Sequence, residues 1–262
     1  MIKLIIVDMD GTFLNDNKEM SPEFDKVFKY LKENNIKFCA ASGRQLASLK
    51  SIFSKHKDDI LYIAENGAVM EIEGKLIVNA SLEKDISDRF LDRLKGLDDM
   101  RVLYCTPEYS YIDKTDELSL ENARIYLPKY KIVKDLKSIK DLPVKISVNS
   151  KNGYYKDFKR LVEEFSNEAS ICTSGFDWLD IVPKGTNKGV AISKLQEYLD
   201  IRSKETMAFG DQMNDFEMIN QAYYSYAMDN AVYEIKQIAR YTAPSNNEFG
   251  VVSTIKKVFA ID

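Results

Sequence analysis

A chain of 262 residues is long enough for one or two domains, and its 45% apolar and 30% charged content is that of an ordinary globular protein. Thirty-seven basic against 41 acidic side chains leave a formal charge of −4, which lacks the basic footprint of a nucleic-acid binder. Any phosphate site on so acidic a chain has to be locally positive or metal-assisted. The single histidine, His56, lies in the polar run SKHKDD and reads as a solvated surface residue, which argues against a His-based triad or a His-rich metal site. Cys39, Cys105 and Cys172 form no CxxC pair and no zinc spacing, as expected of buried thiols in a reducing cytosol. No signal peptide is visible, and no apolar run approaches the ~18–20 residues that span a bilayer. The expectation is a cytoplasmic protein with no membrane partner.

In chain order, residues 4–7 are an unbroken apolar run leading into Asp8, Asp10, Gly11 and Thr12. Such a run predicts a short strand buried on both faces, as in a parallel sheet. Its end then lies at the C-terminal edge, where open α/β sheets bind ligands. Ser21-Pro22 reads as an N-cap and first helical residue, followed by Phe24, Val27, Phe28 and Leu31 at helical spacing. Residues 36–41 predict a strand ending in Ser42-Gly43-Arg44. A helix follows over 45–57, then a strand over 61–64 ending in Glu65-Asn66-Gly67. Right-handed crossovers would bring all three strand ends to one edge.

The pattern then changes. Residues 69–71 and 75–78 flank Gly74 as a hairpin. From 82 to 184, helices over 83–97 and 154–165 alternate less regularly with strands over 102–105, 109–112, 144–148, 169–173 and 178–182. That is an α+β layer. The first pattern resumes after Pro183, with a helix over 187–199, a strand over 206–209 running into Gly210-Asp211, a helix over 216–221, a strand over 224–227 and a helix over 232–239. The fold class is α/β, a doubly wound, Rossmann-like parallel sheet in two chain segments, 1–81 and 185–262. An α+β domain of residues 82–184 is inserted between them.

The strand ends collect Asp8, Asp10 and Thr12, then Ser42, then Lys188 at a helix start, then Asp211, Asn214 and Asp215. Taken singly, each has an ordinary reading. Ser42-Gly43 can cap a helix, Lys188 can be solvated, and Asp211 and Asn214 can be capping residues. Together they make an oxygen-rich site without histidine, suited to a hard cation, of which Mg²⁺ fits best. A lysine and a helix-capping serine add what a phosphate needs. A carboxylate beside the metal is a competent nucleophile, and a second one two residues on can move the proton.

These motifs carry a resemblance. DMDGT at 8–12, SGR at 42–44, the lysine of GTNKG and GDQMND at 210–215 resemble the haloacid dehalogenase-like (HAD) phosphatase superfamily, in its Cof-type branch with a large cap. ENGA at 65–68 and DWLDIVPKG at 177–185 are also typical of that branch, and the likeness spans essentially the whole chain. The resemblance implies Asp8 as the nucleophile that takes the phosphoryl group and Asp10 as the general acid and base. It implies Mg²⁺ held by Asp8, the Asp10 backbone carbonyl and Asp211, with Asp215 steadying Lys188 or the metal waters. Thr12, Ser42, Gly43, Arg44, Lys188 and Asn214 would bind the phosphate or the rest of the substrate. Asn187 stands where serine is common.

The function implied is a phosphatase of a small phosphorylated metabolite, a sugar phosphate first, then a cofactor phosphate such as pyridoxal phosphate or a flavin mononucleotide. The inserted domain would act as the cap that selects it. A phosphosugar mutase with the same core chemistry is the alternative, and a non-catalytic phosphate sensor a third. Arg124, Tyr126, Lys145, Trp178 and Asp180 are open candidates for substrate contact in the inserted domain. The oligomeric state is not legible.

Overall fold

The structure is a computed structural model and describes residues 1–95, 100–150, 155–173 and 178–262. The side chains of Tyr126 and Cys172 and residues 174–177 lie outside the described residues.

Strand β1 (Leu4–Asp8) is buried along its whole length, as its apolar run requires. Helix α1 (Phe24–Glu33) starts later than Ser21-Pro22 predicts. Ser21 closes a turn instead, its carbonyl accepting from the Phe24 N–H at 3.0 Å, so Pro22 sits in the turn. Strand β2 (Lys37–Ala41) follows, then α2 (Leu46–Ile52), which is shorter than the predicted helix because the chain turns at Phe53. There the Phe53 carbonyl accepts from the His56 N–H at 2.8 Å. His56 is not simply solvated: its Nε2 lies 2.9 Å from Asp25 Oδ1 and its ring packs 4.7 Å from that of Phe28. Strands β3 (Leu61–Ala64), β4 (Val69–Ile72) and β5 (Lys75–Val78) complete this stretch.

Then come α3 (Lys84–Leu94), β6 (Met100–Cys105), β7 (Ser110–Ile112), α4 (Glu117–Tyr126), β8 (Tyr130–Ile132), β9 (Lys145–Ser150), α5 (Tyr155–Phe165), β10 (Ala169–Thr173) and β11 (Trp178–Pro183). The last stretch holds α6 (Lys188–Leu199), β12 (Thr206–Gly210), α7 (Phe216–Gln221), β13 (Tyr224–Met228), α8 (Tyr233–Ile238), β14 (Tyr241–Ala243) and α9 (Gly250–Phe259). The chain divides into two compact units, Met1–Gly43 with Phe53–Ile77 and Asn187–Asp262, and Arg44–Ile52 with Val78–Thr186.

Among the described residues the first unit's sheet has the order β14-β13-β12-β1-β2-β3-β4-β5. Pairing is parallel from β14 to β3 and turns antiparallel at β4. Beside it lies an aromatic core. The Phe13 ring meets Phe24 edge-on at 5.0 Å and lies 5.5 Å from Phe53 and 5.7 Å from Phe38. Each buried ring of this kind contributes about 1.5–3 kcal/mol. Phe13 directly follows Thr12, so this core anchors the loop after β1 from below.

The second unit's sheet runs β10-β11-β9-β6-β7-β8. Tyr104, Ile146, Val148, Leu179 and Ile181 pack with Phe90 of α3 and Leu161 and Phe165 of α5. A smaller cluster joins Leu103, Cys105 and Ile112 to Ala123 and Leu127 at α4. Cys39 and Cys105 are buried free thiols, and burial pushes the Cys39 thiol up. Among the described residues no helix is long and apolar enough to cross a membrane.

Candidate active site

From β1 the chain proceeds outward through β2 and β3 on one side, and β12 enters on the other, so β1 is the point where the strand order reverses. Open α/β sheets form their ligand crevice beyond the strand ends at such a point. Asp8 is the last residue of β1, and Asp211 follows the last residue of β12. Lys188 is the first residue of α6, whose cap is Asn187: its Oδ1 accepts from the Val190 N–H at 2.8 Å.

Lys188 has no exposed surface. Its ammonium donates to Asp8 Oδ1 at 2.5 Å and to Asp215 Oδ1 at 2.6 Å. The other Asp215 oxygen accepts from the backbone N–H groups of Asp211 (2.9 Å) and Gln212 (3.2 Å). Both oxygens of Asp215 are thus engaged within the protein, which suits a residue that fixes Lys188. Thr12 Oγ1 donates to Asp211 Oδ1 at 2.8 Å and joins the loop after β1 to the one after β12. Two glycines permit this closeness. A Cβ on Gly210 would stand 2.6 Å from the Asp215 Cβ, and one on Gly11 would stand 2.5 Å from Asp211 Oδ2. Gly11 also has φ +81°, a region that L side chains rarely enter.

Oxygens of Asp8, Asp211 and Asp215 come within 4.8 Å of one another. Three carboxylates and one ammonium leave a formal charge of −2, matched by one divalent cation. Without a cation the surplus makes Asp8 and Asp211 weaker acids than usual. Burial, and then the Asp215 charge, push the Asp8 carboxyl above the ordinary carboxylate range against the pull of Lys188. Burial is also the main cause that lifts Asp211 to about 6. For Lys188, burial opposes the charge, but Asp215 and Asp8 outweigh it and hold the ammonium above its usual range. The donors are all oxygens, a set that fits a hard cation.

Asp10 is turned differently. Its Oδ1 accepts from Lys18 at 2.8 Å in a half-exposed ion pair. Sequence reasoning does not single out Lys18, because nothing in a polar turn marks one lysine as the partner of Asp10. Ser42 is buried at the end of β2, and its N–H donates to the Ile63 carbonyl at 2.9 Å. Beside it Glu65 and Asn66 both have positive φ, backbone strain of the kind found at binding sites, and Gly67 follows at a positive φ that glycine adopts freely. The Asn66 N–H donates to the Ser42 carbonyl at 3.0 Å, its amide lies against Gly43, and its Oδ1 accepts from Asn214 Nδ2 at 3.3 Å. Asn66 therefore joins the Ser42-Gly43 loop to the 211–215 loop. Arg44 groups with the second unit, as do Arg124, Lys145, Trp178 and Asp180. Asp180 is buried and accepts from Ser147 Oγ at 2.5 Å.

The sequence model of the family described as haloacid dehalogenase-like hydrolase matches residues 5–255. The 5-amino-6-(5-phospho-D-ribitylamino)uracil phosphatase YbjI of Escherichia coli (strain K12) is 32% identical over 260 residues, covering 98% of this chain and 96% of the relative. An HMP-PP phosphatase of Citrobacter koseri is 29% identical over 238 residues, with 88% and 86% covered. Among solved structures, SMU.1108c from Streptococcus mutans UA159 superposes with a TM-score of 0.87 at 28% identity, over 99% of this chain and 100% of that one.

Proposed function

Because the chain belongs to the haloacid dehalogenase-like hydrolase family, we propose that it is a Mg²⁺-dependent phosphatase of a small phosphorylated metabolite, working through an aspartyl-phosphate on Asp8. The observation that carries this reading is the buried cluster in which Asp8 and Asp215 grip one lysine while Thr12 ties Asp211 beside them. An Asp8 oxygen attacks phosphorus, forming the acyl-phosphate bond as the ester P–O bond breaks. Asp10 gives its proton to the departing oxygen. It then takes a proton from water, whose oxygen attacks the phosphoryl group, releasing phosphate and restoring Asp8. Lys188 and the Ser42 hydroxyl bind phosphoryl oxygens, with the Gly43 backbone, Arg44 and Asn214 supplying further contacts. The side chains of Asp8 and Asp211 and the Asp10 carbonyl would hold Mg²⁺. When bound, that ion offsets the negative charge of the transferring group.

The inserted domain, residues 82–184 in this reading, selects the substrate. The relatives are named for 5-amino-6-(5-phospho-D-ribitylamino)uracil and HMP-PP, so those compounds lead the panel, followed by sugar phosphates, pyridoxal phosphate and flavin mononucleotide. The test is phosphate release across that panel with Mg²⁺, with EDTA, and with Asp8→Asn. Release that needs the metal and vanishes in Asp8→Asn is expected. Isomer formation with almost no free phosphate would instead indicate a mutase, and full turnover by Asp8→Asn would refute the aspartyl-phosphate.

A further inference from the structure

The loop that carries Asp10 and Thr12 is held from the far end of the chain by three asparagines. Asn230, just after β13, donates from Nδ2 to the Gly11 carbonyl at 2.7 Å, and its Oδ1 accepts from the Asn246 N–H at 3.0 Å. Asn246 is buried between β14 and α9. Its Nδ2 donates to the Leu14 carbonyl at 3.1 Å and to Asp16 Oδ1 at 3.0 Å. Asn247 donates to Asp16 Oδ2 at 3.0 Å and accepts from the Asp16 N–H at 3.1 Å. Every amide NH₂ here faces an oxygen, and each Oδ1 of Asn230 and Asn247 faces a backbone N–H, so chemistry alone fixes these amide orientations.

Two consequences bear on Asp10. The peptide that follows Gly11 is a rigid trans plane, so a carbonyl held toward Asn230 turns the Thr12 N–H to the opposite side. Lys18 sits in the turn that Asp16 also occupies, where its N–H donates to the Asn15 carbonyl at 2.9 Å, and from there it reaches the Asp10 carboxylate. The clamp therefore fixes the backbone just after Asp10 and the base from which Lys18 holds its side chain.

We propose that Asn246, acting with Asn230, is a positioning residue for the first phosphoryl transfer, keeping Asp10 in line with the departing oxygen. This rests on the phosphatase reading above. Loosening the clamp displaces the proton donor, and a misplacement of about 1 Å costs on the order of 10²-fold in rate. Ser42 follows β2 and Lys188 opens α6, so neither lies on the loop that the clamp holds.

Leaving-group dependence separates this role from a merely structural one. The quantity compared is kcat/KM with saturating Mg²⁺, which reports the first transfer, for p-nitrophenyl phosphate and for an alkyl phosphate that the wild type hydrolyses. A nitrophenolate departs without a proton, whereas an alkoxide needs one. Asn246→Ala and Asn230→Ala should lose at least about tenfold more on the alkyl ester than on the aryl ester. Equal losses on both esters, or none on either, would overturn the proposal. Should Asn246→Ala not fold, Asn230→Ala decides by the same comparison. A wild type that releases phosphate from no ester of the panel removes the phosphatase reading and this proposal with it.

Discussion

Replacing Lys188 with methionine keeps a linear side chain in a position with no exposed surface but deletes the ammonium between Asp8 and Asp215. The formal charge of the cluster moves from −2 to −3. Removing one partner of a buried ion pair costs about 3–5 kcal/mol, because the other partner stays buried without its counter-charge. That is a large share of the roughly 5–15 kcal/mol by which a domain is stable. A cation that binds only the folded state returns about 2.7 kcal/mol at a hundredfold excess over its Kd. Urea unfolding of wild type and Lys188→Met, in EDTA and in saturating Mg²⁺, measures both effects. The variant should be less stable by about 3–5 kcal/mol in EDTA, with part of the gap closed by Mg²⁺. The double variant Lys188→Met/Asp215→Asn, back at −2, should recover part of the loss, a coupling that a double-mutant cycle reads directly. A single variant within about 0.5 kcal/mol of wild type in EDTA would refute the claim that this lysine is the counter-ion on which the cluster depends.

Gly11→Ala forces an L residue into a left-handed backbone, at about 1–2 kcal/mol, and drives its Cβ onto Asp211 Oδ2. Thermal unfolding should show the loss of stability, and phosphate release should fall at least about tenfold as Asp211 is displaced. Phe13→Ala empties an aromatic site that is 2% exposed and should cost about 3–5 kcal/mol by urea titration. Asp116 caps α4, accepting from the Ser119 N–H, so Asp116→Ala should cost about 1 kcal/mol at neutral pH. Burial opposes its charge, but Arg101 and Ser119 outweigh this and hold its carboxyl at about 2, below the ordinary value. The unfolded chain therefore binds the extra proton between the two values, and the stabilisation is complete above the unfolded pKa and fades as pH falls through about 2. The gap between wild type and Asp116→Ala, read from urea midpoints across an acid series, should narrow in that direction.

The strand-end carboxylates were legible because each follows a short apolar run into a turn, and the structure brings Asp8, Thr12, Lys188, Asp211 and Asp215 within bonding reach of one another. The helix predicted over 187–199 is found as α6, which Lys188 begins and Asn187 caps. Helix α4 escaped notice because the leucines and alanine of ELSLENARIY make only a weak apolar stripe, although Asp116 ahead of it was a capping signal. Strand β14 and helix α9 were missed as well, the first being three residues long. Least legible was the asparagine clamp. An asparagine reads as a turn residue wherever it stands, and only tertiary structure carries Asn230 and Asn246 to the Gly11 and Leu14 carbonyls.

The central place of β1 has a consequence for synthesis. It is made shortly before β2, which can pair with it early, Leu4 beside Lys37. Its other neighbour, β12, begins at Thr206, so that flank waits until most of the chain has been made. Through that interval an apolar strand buried on both faces in the finished protein presents an open edge, the kind of surface that recruits foreign strands. Truncation before β12 should therefore yield an aggregating fragment, and the cluster of Asp8, Lys188, Asp211 and Asp215 cannot assemble until α6 and β12 have been made.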